Sequence, residues 1–180
     1  MRTWIWLTTG LLTALVGGIG GEEARFHFPQ VAAYGLVAEV PGAAEPPRRG
    51  AKIVFDVVSD GKPEELNKGL ESVARYLNLN ATSGFEPTDV KLAVVLHGPA
   101  TRAALNDTAY TRATGAAKNP NLALVWALKE CGVEVFVCGQ SLARNRFARS
   151  EVASDVVVAV SAMTVNVNKQ QDRYAYLAIH

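Results

Sequence analysis

Short apolar runs rich in β-branched residues alternate along this chain with stretches whose apolar residues recur every three or four positions. KIVFDVV over 52–58 closes on Ser59-Asp60-Gly61, the pattern of a buried strand ended by a turn. Leu66, Leu70, Val73 and Leu77 then form one helical stripe, with Pro63 in the expected first turn and Glu64 and Glu65 at its positive end. A second strand, 90–96, ends at His97-Gly98-Pro99, and TRAAL after it predicts a short helix. Asn119-Pro120 opens another helix, 121–131, which Gly132 stops. Leu122, Leu124, Val125, Trp126 and Leu128 make that helix apolar nearly all round, so both of its sides are expected to be covered. A third strand over 133–137, a short helix over 140–145, a fourth strand over 156–160, a helix over MTVNVNKQQ and a last strand over YAYLAI complete the pattern. Such alternation predicts an α/β domain with a largely parallel sheet and helices on both faces. No internal repeat is present.

Two segments precede this core. Residues 22–51 carry Phe26, Phe28, Val31, Tyr34, Leu36, Val37 and Val40, too apolar for a solvated linker, followed by the turn-rich PGAAEPPRRG. They predict an extended leader arm packed on the domain or on a neighbouring subunit. Residues 1–21 start with Arg2, continue as an apolar run from Trp4 to about Ile19 and end in small residues. That order describes an export signal; a retained membrane anchor is the alternative, since the run falls just short of the roughly 20 residues that span a bilayer. Either places the domain outside the cytoplasm, in the periplasm or otherwise secreted, or anchored at the membrane. The core domain is then 52–180.

The 180 residues suffice for one domain with a full core. Eighteen Lys and Arg against 17 Asp and Glu give no reason to expect nucleic acid or an anionic membrane as the main partner. Two cysteines in an exported chain raise the question of a disulfide. Cys131 precedes the third strand and Cys138 ends it. Seven strand positions separate residues by roughly 20 Å, whereas a disulfide needs Cα atoms within about 7 Å. Cys138 is therefore expected to be unbridged within one subunit.

In a parallel sheet, sites form beyond the C-terminal strand ends. Those ends here are Asp60-Gly61, His97-Gly98 and Cys138-Gly139, and the cysteine is the one good nucleophile among them. Gly139 permits a sharp turn or a close approach, and the helix expected after it favours a thiolate. Such a thiol can attack sulfur or hold an extra sulfur as a persulfide. The competing reading is a small hydrophobe that ends a strand in the core. Cys131, at the end of an apolar helix, reads as packing. His97 could serve Cys138 as a base, the logic of acyl transfer, or be a satisfied polar group. His27, His97 and His180 are scattered, no ligand spacing indicates a metal, and no phosphate loop or other cofactor motif is present. Arg144, Arg146 and Arg149 could draw an anionic sulfur compound or form a solvated face.

KIVFDV, VVLHG, NPNLALVWALKECGVEVFVCGQSL and QQDRYAYLAI together resemble the DsrE/DsrF-like (YchN-like) family over about 52–179, and FHFPQVAAYG resembles leaders of its exported members. The resemblance implies a three-layer α/β fold with a five-stranded, mostly parallel sheet and assembly into trimers or hexamers. It also implies that Cys138 accepts and passes on sulfane sulfur, with a thiol or a sulfur-carrier protein as partner. His97, Gly139 and Gln140 stand as possible supporting residues. The expected function is an exported persulfide carrier or sulfurtransferase. The alternatives are a non-catalytic oligomeric binding module with an inert cysteine, and a Cys/His hydrolase.

Overall fold

The computed structural model describes residues 25–179; the expected export signal lies outside them. Its described helices and strands, joined in several places by 3₁₀ turns, are β1 Phe26–His27, β2 Val37–Ala38, β3 Lys52–Val57, α1 Lys68–Thr82, β4 Lys91–Leu96, α2 Asp107–Thr114, α3 Leu122–Glu130, β5 Glu134–Cys138, α4 Gly139–Arg144, β6 Val157–Ala159, α5 Ala162–Gln171 and β7 Ala175–Ile179. The main sheet has five strands in the order β6-β5-β4-β3-β7, and all four pairings are parallel. The expected α/β architecture is therefore present.

Side chains alternate across the strands and divide the core in two. Phe55, Val57, Val94, Leu96, Val135 and Val137 pack with α1 and α3 on one face. Val54, Ala93, Val95 and Cys138 point to the other, where they meet Ala162 and Val165 of α5. The reason lies in the topology. Strands β3 to β6 follow one another across the sheet, whereas β6 and β7 are its two edges. The connection between those edges is α5, which crosses the second face and touches all five strands.

Three local readings are corrected. Pro63 lies in a turn, not in the first turn of α1, which starts five residues later. Asn67 decides the start: its Oδ1 accepts from the Gly69 amide at 2.9 Å and the Leu70 amide at 3.2 Å. It is held by Asn121 Oδ1, which accepts from the Asn67 amide at 2.7 Å. Helix α2 was not expected; it buries only Ala109 and Tyr110, too few for a stripe, and depends on an Asn106 cap. Helix α3 buries Leu124, Val125 and Leu128, but Trp126 is 56% exposed, so one of its sides is open.

The leader folds back onto its own domain. β1 and β2 pair antiparallel. Between them, the buried Asn78 side chain of α1 accepts from the amides of Gln30 and Val31 at 2.9 and 2.7 Å and donates to the carbonyls of Tyr34 and Gly35. Val31 and Val37 are buried as a result. Gly35 has φ +66°, and a Cβ there would sit 2.2 Å from the Arg75 nitrogen, so only glycine lets the leader cross α1 this closely.

Candidate functional site

Because the strands are parallel, β3, β4 and β5 end at the same edge, where they deliver Val57, Leu96 and Cys138. Cys138 is the last residue of β5 and the cap of α4, with extended backbone at φ −71° and ψ 115°. The turn is tight. A Cβ on Gly139 would lie 2.7 Å from the Ala159 carbonyl oxygen, so glycine allows the end of β6 to close over this corner. Cys138 is left 5% exposed.

Burial by itself pushes a thiol's pKa up. Against it stand the Ser141 hydroxyl and the backbone amides of Ala162, Ser141 and Gln140, which together hold Cys138 below the ordinary thiol range. Ala162 is the first residue of α5, so the donors come from two separate helices. The Gly98 amide donates to Ser141 Oγ at 3.1 Å, which leaves the hydroxyl hydrogen free to point at sulfur. The backbone after β4 thereby positions a donor for the residue that ends β5.

His97 directly follows β4. Since Leu96 pairs with Val137, His97 stands beside Cys138 in the continued register, and alternation puts both on the α5 face. His97 Nε2 lies 2.9 Å from Asp56 Oδ1. The two atoms approach without an aligned hydrogen bond, and neither has another partner among the described residues. The second oxygen of Asp56 accepts from Tyr176 Oη at 2.6 Å. Tyr176 ionises above its ordinary range, first because this bond to Asp56 favours the protonated phenol.

Of the residues singled out in the sequence, Cys138, Gly139 and His97 gather at this corner. Gln140 is adjacent but turned outward, with Nε2 donating to the Val160 carbonyl at 3.3 Å. Arg144, Arg146 and Arg149 are exposed and lie at or beyond the far end of α4, away from the sulfur. Both cysteines are free. Cys131 packs against the main core, near Gln30 of the leader, and burial pushes its thiol up. Among the described residues, no group of three His, Cys, Asp or Glu side chains converges as metal ligands.

Asp56, Ser141 and Tyr176 were not singled out in the sequence. Asp56 did carry a signal, as the lone carboxylate within the buried run KIVFDV. Ser141 and Tyr176 carried none, because Gly98 and Asp56, which meet them, are distant in the chain.

Among solved structures, the protein of unknown function MTH1491 from Methanobacterium thermoautotrophicum is similar, with 19% identity and a TM-score of 0.52. The match covers 72% of this chain and 99% of that one, and supports the fold. No curated protein matches the chain. The model of the DsrE/DsrF-like family matches residues 52–179, the whole sheet with its helices. The chain belongs to the DsrE/DsrF-like family.

Proposed function

We propose that this chain is an exported, oligomeric sulfur carrier in which Cys138 takes up sulfane sulfur and passes it to another thiol. The observation that carries this reading is the set of donors from α4 and α5 converging on one sulfur. Those donors favour an anion, and a persulfide carries its charge one atom further out on the same side chain. In the uptake step, the Cys138 thiolate attacks the outer sulfur of a persulfide. A new S–S bond forms at Cys138, the donor's S–S bond breaks, and the donor leaves as a thiolate that takes one proton. The sulfane sulfur keeps its oxidation state, so the step needs no oxidant. Delivery is the same exchange in reverse, toward a small thiol or a sulfur-carrier protein.

Export is supported by Arg2 and the apolar run after it. Assembly is supported by the exposed Val160, Met163 and Val167 beside and along α5. The 5% exposure of Cys138 favours a second reading, a binding module whose cysteine is inert core.

Mass spectrometry after polysulfide treatment of the folded protein separates the readings. The carrier gains sulfur on the Cys138 peptide and loses it to added thiol. Absence of both sulfur and thiol-reagent labelling at Cys138 would sink the carrier and leave the binding module. Hydrolysis of a model ester requiring both Cys138 and His97 would point instead to acyl transfer.

A further inference from the structure

Four polar side chains stand in a row on one face of the sheet, one at each of four neighbouring strands. In order they are Tyr176 on β7, Asp56 on β3, His97 just past β4 and Cys138 on β5. We infer that Asp56, held by Tyr176, is the positioning residue that fixes His97 as the proton acceptor and donor for Cys138; this rests on the carrier reading of that cysteine.

The geometry has three links. Tyr176 Oη donates to Asp56 Oδ2 at 2.6 Å and leaves Oδ1 as the free oxygen. That oxygen faces His97 Nε2 at 2.9 Å, and both atoms are buried without any other partner among the described residues. A carboxylate oxygen that close selects the tautomer with hydrogen on Nε2, because a lone pair there would oppose the carboxylate. Nδ1 then carries the lone pair and can accept a proton. The last link is strand spacing: adjacent strands lie about 4.8 Å apart, which sets the His97 backbone beside that of Cys138. A buried carboxylate within a strand is a costly residue to keep without a task. Orienting an imidazole is such a task.

The other groups around His97 do not compete for this role. Asp60 is paired with Arg102 through a 2.6 Å contact. From α5, Ala162 and Val165 pack on this face and carry no charge. Lys169 of the same helix is paired with Glu134 at the start of β5, the opposite end of the strand from Cys138. Among the described residues, Asp56, held by Tyr176, is thus the titratable group that meets the ring, and Cys138 stands next to His97 in the strand register.

In the transfer step the protons balance. His97 takes the Cys138 proton as the thiolate attacks the outer sulfur of a persulfide. It returns that proton to the departing thiolate, so a thiol and a persulfide enter and a persulfide and a thiol leave. The network therefore predicts which donors suit the site: persulfides whose leaving thiolate needs protonation inside a buried corner.

Two measurements test this on the folded chain. The first is the nitrogen NMR shifts of the His97 ring, which report which ring nitrogen carries the proton and involve no sulfur transfer. The wild type should carry it on Nε2. Asp56→Asn, nearly isosteric, should lose this preference, because its amide can present a donor to Nε2. The second is sulfur uptake from glutathione persulfide, which Asp56→Asn should slow by about tenfold and His97→Gln by about a hundredfold. If Asp56→Asn does not fold, His97→Gln at the half-buried neighbour should still slow the uptake. An unchanged tautomer and unchanged rates in these variants would overturn the inference, as would a folded wild type in which Cys138 resists thiol reagents altogether. A lost tautomer preference with no sulfur uptake by the wild type would uphold the coupling of Asp56 to His97 and remove the carrier reading.

Discussion

At the scale of single residues, the thiol of Cys138 is governed by competition between burial and directed donors. Burial acts on any strand-end cysteine of this depth, and the donors reverse its effect. Ser141 supplies the side-chain donor among them, so its removal should be legible. A hydrogen bond to a charged group contributes about 1.5–3 kcal/mol. Ser141→Ala should therefore slow neutral-pH alkylation of Cys138 by about tenfold, while Ser141→Thr keeps the hydroxyl and the rate. The sign of the stability effect follows from linkage. A thiol whose folded pKa is lowered contributes stability that is fully present above the unfolded pKa and is lost as pH falls through the folded one. Urea midpoints of wild type and Ser141→Ala should thus differ at alkaline pH and converge in mild acid; a constant gap at every pH would mean that Ser141 acts through packing. The cysteine itself was legible in the sequence, because a strand end followed by glycine is a local pattern. Its partners were not. Ser141 matters through the Gly98 amide 43 positions away, and that proximity exists only once β4 and β5 are paired.

At the scale of elements, buried asparagines set boundaries that apolar periodicity misplaces. Leu66 fits the stripe of α1 by spacing, yet the helix starts beyond it, because Asn67 offers the amides of Gly69 and Leu70 a better acceptor. Asn121 and Asn119 extend the same device: Asn119 Oδ1 accepts from the Asn121 amide, and its Nδ2 donates to the carbonyls of Ala103 and Leu105. Asn78 is the clearest case. All four of its hydrogen-bonding positions are filled by leader backbone, in a side chain with no exposure. The leader's apolar residues predicted that it packs, but an asparagine on a helix gave no notice of being its anchor. Asn78→Ala would strand four backbone groups of the leader and should lower stability by about 2–3 kcal/mol. Limited proteolysis should then cut within residues 25–50 well before the core, whereas an unchanged cleavage pattern would show that Val31 and Val37 suffice to hold the arm.

At the scale of the whole molecule, the two faces of the sheet are served unequally. Among the described residues, one receives α1 and α3, and the other receives α5 alone. Five strands at about 4.8 Å spacing make a sheet about 20 Å across, and one helix with its side chains covers about 10–12 Å. This imbalance was not readable in the sequence, because the alternation of strands and helices is silent on strand order, and only β7's place beside β3 sends α5 across the second face. The consequence is visible on the surface. Val160 and Met163 are 75% and 74% exposed, and Val167 is exposed one turn beyond Met163 on the same side of α5. Val157 adds to this patch from the edge strand β6. Ala162, whose amide faces Cys138, begins the same helix, so whatever covers the stripe also bears on the site's lid. Self-association through α5 would cover the apolar stripe and fix that lid in one step. Met163→Glu places a charge in the centre of the stripe, where burial without a partner is strongly unfavourable. Light scattering coupled to size exclusion should find the wild type at a multiple of its chain mass and Met163→Glu at a single chain mass, with Cys138 labelling faster in the variant as the lid loosens. A wild type that runs as a single chain would refute the assembly, and an unchanged oligomer in Met163→Glu would move the interface to another apolar surface, the exposed Trp126 side of α3 being the next to probe.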